Sequence, residues 1–200
     1  MKTFPLKIDT ILASLVIPLI LILIVLALSD ITHQTQNIEA TNTTQRTNSS
    51  SISELIQKGS TMLNSSKYEE ALVTFDQALK IDSRSVVALN GKGLIFNQLG
   101  KYDEAITWFD KALSIDPNFV NALNNKGLTL ANLGKYEEAI TWFDKALSID
   151  PNFVDALYNK GGALGELGKY EQAIVWTDKA LALDPANQND SDSSLLLPNE

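Results

Sequence analysis

Apolar residues follow two different patterns along this chain. Between Ile11 and Leu28 the side chains are apolar apart from Ser14, and none is charged. From Ile52 onward the apolar residues instead recur every three or four positions, which is the spacing of one face of an α-helix. The first pattern predicts a helix surrounded by lipid, and the second predicts amphipathic helices that pack on one another.

The uncharged run predicts a single transmembrane helix over residues 11–29. Its length matches the hydrocarbon core of a bilayer, which a helix crosses in about 20 residues. Pro18 lies in the run, and proline is tolerated in membrane helices. Ala27 and Ser29 are small residues two positions apart, so cleavage of a signal peptide, and secretion of the rest, remains the alternative.

The charges on the two sides of this helix predict its orientation. Lys2 and Lys7 precede it, whereas the first basic residue after it is Arg46. Basic residues favour the cytoplasmic side. We therefore predict a cytoplasmic N-terminus over residues 1–10, with everything after the helix outside.

Residues 30–51 are dominated by Thr, Asn, Gln and Ser. Such a segment buries too little apolar surface to offset the entropy that ordering costs. We therefore predict a disordered polar stalk between the membrane and the remainder of the chain.

The remainder of the chain is repetitive. Residues 100–119 and 134–153 read GKYDEAITWFDKALSIDPNF and GKYEEAITWFDKALSIDPNF, and differ only at Asp103 and Glu137. This period of 34 residues predicts an array of one supersecondary unit. We divide it into repeats 1 to 4, residues 52–85, 86–119, 120–153 and 154–187, and a polar acidic tail, residues 188–200. Each repeat reads as two amphipathic helices. In repeats 2 to 4 a Gly-Lys turn joins them, and Asp-Pro ends the second helix.

Charge and composition limit the chemistry. The net charge is −8, which disfavours a nucleic-acid partner. The chain has no cysteine and a single histidine, His33, so it offers no thiol nucleophile and a poor set of metal ligands. No phosphate-binding or nucleophile motif occurs. We predict no enzyme activity, no cofactor and no metal site.

The repeats resemble the tetratricopeptide repeat (TPR) family. The resemblance rests on the period, the Gly-Lys-Tyr turns, the terminal Asp-Pro and the positions that recur in phase: Leu89 and Gly93, Leu123 and Gly127, Leu157 and Gly161, Ala105, Ala139 and Ala173, and Ala112, Ala146 and Ala180. It implies an all-α fold, a TPR superhelix in which antiparallel helix pairs form an α-solenoid. It also implies that the first helices line a concave groove that binds peptides or proteins.

By this resemblance, the groove positions of the chain are rich in asparagine. They are Asn90, Asn97, Asn121, Asn124, Asn125, Tyr158 and Asn159. An amide offers both a donor and an acceptor, so a row of asparagines can hold an extended peptide backbone. The alternative is that Asn125 and Asn159 only occupy a position that is commonly polar in the family.

The terminal repeats depart from the middle ones. Ser66 replaces the turn glycine of repeat 1, and Thr177 replaces the phenylalanine of repeats 2 and 3. Tryptophans recur once in each of repeats 2 to 4, and we expect them either to pack between helices or to meet a partner on the convex face. The functional hypothesis is a membrane-tethered adaptor that binds a partner's peptide segment. The alternative is a structural module that self-associates through an uncovered last repeat.

Overall fold

The computed structural model describes residues 8–184, with side chains from residue 18 onward, and this part of the chain contains eight α-helices and no strand. The helices are α1 Ile8–Asn64, α2 Tyr68–Ile81, α3 Val86–Gln98, α4 Tyr102–Ile115, α5 Val120–Asn132, α6 Tyr136–Ile149, α7 Val154–Glu166 and α8 Tyr170–Leu183. Two compact units result, Met1–Ser50 and Ser51–Glu200. The predicted all-α solenoid is confirmed. The tail 188–200 and most of the predicted cytoplasmic segment lie outside the described residues.

The N-terminal unit consists of the first part of α1. This helix contains a stretch that is long and apolar enough to cross a membrane, by length and composition alone. None of that stretch is buried inside the protein, which distinguishes it from the core helix of a soluble domain. A signal sequence near an N-terminus would share these properties, so both alternatives of the sequence analysis stand.

Residues 30–51 are helical, in contrast to the disordered stalk that composition predicts. Two local causes account for the helix. No glycine or proline occurs from Leu19 to Lys58, and threonine hydroxyls donate to backbone carbonyls three or four residues back, as Thr41 does to Asn37 at 2.8 Å. The side chains here are exposed. Low apolar content excludes a core, but helical hydrogen bonds are local and need none.

The second unit is built from helix pairs. The end of α1 packs against α2 through Leu55, Ile56, Met62 and Leu63, and α3 with α4, α5 with α6 and α7 with α8 form the pairs that follow. Between pairs, α2 contacts α3, α4 contacts α5 and α6 contacts α7. Each helix therefore touches only near neighbours, as expected for stacked repeats.

Glycine and phenylalanine fill the space between paired helices. Phe109 and Phe143 are fully buried. A Cβ atom added to Gly93 would lie 2.4 Å from Cε1 of Phe109, and one added to Gly127 would lie 2.6 Å from Cε1 of Phe143. These glycines are required because the facing ring occupies the place of a side chain.

The turn inside each repeat needs a left-handed residue. Gly100, Gly134 and Gly168 have φ between 71° and 74°, and Ser66 takes the same place in repeat 1 with φ 57°. The following amide closes the turn, as Lys67 N–H does on Met62 O at 2.9 Å. Repeat 1 therefore forms the same turn with a serine, for which the left-handed conformation costs more free energy than it does for glycine.

Candidate peptide-binding groove

The predicted groove residues lie on α3, α5 and α7, the first helices of repeats 2 to 4. Their exposure differs. Asn121 is exposed, Asn90 and Asn124 are buried, and the half-buried members are Asn97, Asn125, Tyr158 and Asn159. The set is therefore not an even row of solvent-facing amides.

Four of the asparagines bond to one another across repeat boundaries. Asn125 Nδ2 donates to Asn90 Oδ1 at 3.0 Å, and Asn159 Nδ2 donates to Asn124 Oδ1 at 2.9 Å. In each pair the donor belongs to the later repeat and the acceptor is buried. The amides thus join neighbouring first helices, a role that the sequence analysis does not predict.

Asn97 is also engaged by the next repeat. Its Oδ1 accepts from Thr129 Oγ1 at 3.0 Å and from Asn132 Nδ2 at 3.3 Å. Thr129 is fully buried, and its one hydroxyl hydrogen is shared between Asn97 Oδ1 and the backbone carbonyl of Asn125, which lies at 2.8 Å. Thr129 and Asn132 are not among the predicted groove residues. Their separations of 32 and 35 residues from Asn97, close to one repeat, are the signal that could have found them.

Some hydrogen-bonding capacity remains on this surface. The Oδ1 atoms of Asn125 and Asn159 accept no hydrogen bond from the described residues, and they are not buried. The side chain of Asn121 is exposed and has no hydrogen bond within the described part of the chain. The unused hydrogen-bonding capacity is therefore the Oδ1 atoms of Asn125 and Asn159 and the side-chain amide of Asn121.

Tyr158 differs from the asparagines that precede it in register. Its ring packs against the core cluster that contains Leu157 and Ala180. Its hydroxyl oxygen is buried and has no hydrogen-bond partner in the described structure. Tyr158 therefore acts as a packing residue whose hydroxyl is unsatisfied.

Gly91 leaves repeat 2 without a side chain that could donate to repeat 1 as Asn125 and Asn159 donate to the repeats before them. It occupies the register of Asn125 and Asn159, but a Cβ atom there would lie 2.4 Å from Cζ of Phe75. The Phe75 ring of repeat 1 contacts Gly91 of repeat 2, so a side chain at residue 91 would collide with that ring.

A second set of polar contacts recurs with the repeat and is missed by the sequence analysis. A lysine on each first helix donates to an aspartate of the preceding second helix: Lys92 to Asp76 at 2.6 Å, Lys126 to Asp110 at 2.5 Å and Lys160 to Asp144 at 2.5 Å. Such charge-assisted hydrogen bonds are short and directional. The signal that could have found them is a constant 16-residue separation repeated at the 34-residue period.

The same lysines stack on the tryptophans of their own repeats. The Nζ atoms of Lys92, Lys126 and Lys160 lie 3.8, 3.9 and 3.5 Å from the ring centroids of Trp108, Trp142 and Trp176. These are cation–π distances. The tryptophans are half-buried against the core clusters, in agreement with packing between helices. Each lysine thus links two repeats through one ion pair and one aromatic ring.

Family models and solved structures support the repeat assignment. Residues 93–134 match the model of a TPR repeat, and residues 120–153 and 154–187 each match that of the tetratricopeptide repeat. The chain is similar to PilF of Pseudomonas aeruginosa, with 27% identity, a TM-score of 0.65 and coverage of 69% of this chain and 63% of that one. The search of curated proteins gave no match.

Structures of MamA are similar as well. MamA of Desulfovibrio magneticus RS-1, from residue 41 to its end, shares 27% identity, with a TM-score of 0.57 and coverage of 68% of this chain and 76% of that one. Another MamA crystal structure has 22% identity, a TM-score of 0.58 and coverage of 69% and 81%. The chain therefore carries tetratricopeptide repeats, the architecture of a protein-interaction module.

Proposed function

We propose that this chain, with its tetratricopeptide repeats, is a membrane-tethered adaptor that binds an extended segment of a partner protein along its first helices. The observation that carries the proposal is the row of amides with unused acceptors. Asn125 and Asn159 occupy the same register one repeat apart, and exposed Asn121 lies one turn before Asn125 on α5. Their Oδ1 atoms remain reachable while Nδ2 is fixed by the neighbouring repeat.

Fixed amides suit a ligand that is recognised by its backbone. An extended peptide presents N–H groups that donate to Oδ1 atoms, and a carboxamide makes no demand on the ligand's side chains. Because Asn90 and Asn124 hold the donors in place, the acceptors lose little side-chain freedom on binding, which favours affinity. The adaptor would therefore recognise the extended backbone of its peptide ligand more than the ligand's side chains.

The apolar helix supports the tether. Its large apolar side chains from Leu19 to Leu28 are exposed, and apolar side chains in that position are stable in lipid. Anchoring confines the repeats to a membrane surface and raises the effective concentration of a co-anchored partner. In this proposal residues 1–10 are cytoplasmic and the repeats lie outside. Cleavage near Ser29 would instead yield a secreted protein, and N-terminal sequencing of the mature chain tests this.

The groove is tested by cross-linking and recovery of partners from membranes. The full chain with Asn125→Ala and Asn159→Ala loses both free acceptors. The matched control carries Asn118→Ala and Asn152→Ala, which are the same substitutions at the same spacing. Both asparagines lie at exposed turn positions, and their side chains make no hydrogen bond in the described structure. We expect the first variant to lose a partner that the control retains. Equal recovery by both variants would refute the groove.

Stability must be separated from recognition in this test. Removing the two asparagine amides also removes two hydrogen bonds between repeats, worth about 1 kcal/mol each. Asn121→Ala removes no hydrogen bond of the described structure, so it probes recognition alone. We expect it to weaken partner recovery without changing the unfolding temperature.

A second candidate function is self-association through the last repeat. One observation favours it: Tyr170 and Ile174 on α8 are 58% and 49% exposed, whereas Tyr136 and Ile140, at the same register of α6, are half-buried. Nothing among the described residues covers this end of the array.

A further inference from the structure

The two ends of the repeat array carry unpaired halves of a contact that its interior makes three times. At each internal boundary the second helix of one repeat supplies an aspartate, and the first helix of the next supplies a lysine. An array with ends must leave one aspartate and one lysine without this partner. Both residues are present here.

Asp178 is the unpaired aspartate. It lies on α8 at the register of Asp110 and Asp144, it is exposed, and it makes no salt bridge with the described residues. It borders the same open face as Tyr170 and Ile174. On α6 the equivalent tyrosine donates to Glu166 of the next repeat at 3.4 Å. The end of the array thus presents an acidic and apolar half-interface.

Lys58 is the unpaired lysine. It lies on α1 at the register of Lys92, Lys126 and Lys160, and it is exposed with no salt bridge in the described structure. It lines a groove of about 490 Å³ together with Glu54, Gln57, Thr61, Met62, Ser65 and Lys67. By register this groove is where the second helix of a preceding repeat would lie.

Several residues that line this groove resemble those at the equivalent positions of α5 and α7. Gln57 stands where Asn125 and Asn159 stand, Thr61 where Thr129 stands, and Met62 where Leu130 and Leu164 stand. Two lining positions depart: Glu54 replaces the fully buried alanines Ala88, Ala122 and Ala156, and Ser65 replaces Leu99, Leu133 and Leu167. The face can therefore receive a second helix, but a contact there would be looser than an internal one.

We infer that a second copy of this chain occupies the open face of α8, with the α1 groove of one copy receiving α8 of the next and Lys58 pairing with Asp178. This inference rests on the second candidate function. Charge complementarity favours a second copy over a foreign helix, because both halves of the contact belong to this chain. The contact is heterologous, so it propagates in one direction.

Charge reversal in the full chain tests the pairing. Sedimentation in detergent micelles over a range of concentrations measures association of the wild type, of Lys58→Asp and of Asp178→Lys. Each single variant sets like charges against each other, so we expect its self-association to weaken roughly tenfold or more. Mixing the two variants restores opposite charges at every contact, as does the double variant, and we expect wild-type association from both.

Lys135→Asp is the matched control. It makes the same change of charge at an exposed residue outside both end faces, so it must associate as the wild type does. A wild type that stays monomeric at every concentration overturns both the inference and the second candidate function. Association that neither charge reversal alters overturns the inference alone, and leaves self-association through another surface.

Cysteine cross-linking locates the contact independently. The chain has no native cysteine, so each disulfide must join introduced residues. We expect a chain with Lys58→Cys to form a disulfide dimer with a chain carrying Asp178→Cys, more readily than either does alone. Equal yields of the mixed dimer and of the two dimers that each variant forms alone would overturn the head-to-tail arrangement.

Discussion

The middle and terminal repeats share a sequence pattern but differ in how completely their contacts are made. In repeat 3, Phe143 fills the space at Gly127, Asn124 accepts from the next repeat, and Asp144 pairs with Lys160. In repeat 4, Thr177 faces Gly161, and within the described residues the buried hydroxyl of Tyr158 has no hydrogen-bond partner and Asp178 pairs with no lysine. Repeat 4 thus differs from repeat 3 in its residues at positions 158 and 177, and in its position at the end of the array, which affects Asp178.

The largest effect on stability is expected from the residues that pack between paired helices, Phe143 in repeat 3 and Thr177 in repeat 4. Phe143→Ala removes a fully buried ring and should lower the free energy of unfolding by about 3–5 kcal/mol. Thr177→Ala removes only a half-buried hydroxyl and methyl group, so we expect a loss of about 1 kcal/mol or less. Urea unfolding followed by tryptophan fluorescence measures both. Equal losses would show that the last repeat is packed as tightly as the middle one.

A smaller effect should distinguish Asn124 from Tyr158, which share a register. Asn124→Ala leaves the Asn159 amide without its acceptor and should cost about 1–2 kcal/mol. Tyr158→Phe removes a buried hydroxyl that has no partner, and we expect an unchanged or slightly higher unfolding midpoint. The same urea experiment applies. A marked loss in Tyr158→Phe would mean that its hydroxyl has a partner in solution.

The smallest expected effect concerns the turn of repeat 1. Ser66 is left-handed where repeats 2 to 4 have glycine, so Ser66→Gly should stabilise the first helix pair by about 1 kcal/mol. Gly134→Ser is the reverse change and should destabilise by a similar amount. Hydrogen exchange of the α2 and α6 amides reports the two turns separately. Slower exchange in α2 is expected; faster exchange would contradict the strain assigned to Ser66.

Local signals made the repeats predictable. The Gly-Lys turns, the Asp-Pro stops and the amphipathic spacing lie within a few residues of the structure they specify, and the helices from α3 to α8 follow them. Local signals also explain the failure over residues 30–51. There, low apolar content indicates the absence of a core but leaves the backbone free to continue the helix that precedes it.

The polar contacts were less accessible to prediction. Asn90 and Asn125 lie 35 residues apart, and their amides meet only because two first helices stack. The sequence indicates that these positions are polar, and both a ligand contact and a structural contact satisfy that pattern. The lysine, aspartate and tryptophan set has a clear periodicity, but periodicity alone does not say which helices bring the three together.

The sequence alone determined the all-α repeat, the helix boundaries from repeat 2 onward and the small or aromatic residues that fill each helix pair, because these depend on spacing within one unit. The tertiary structure decided which amides and charges are used between repeats and which remain free. That outcome depends on the geometry of stacking, since a hydrogen bond between side chains one repeat apart forms only when both helices are in place. Within the part of the chain that the structure describes, stacking leaves the Oδ1 atoms of Asn125 and Asn159 without a donor and Lys58 and Asp178 without a salt bridge.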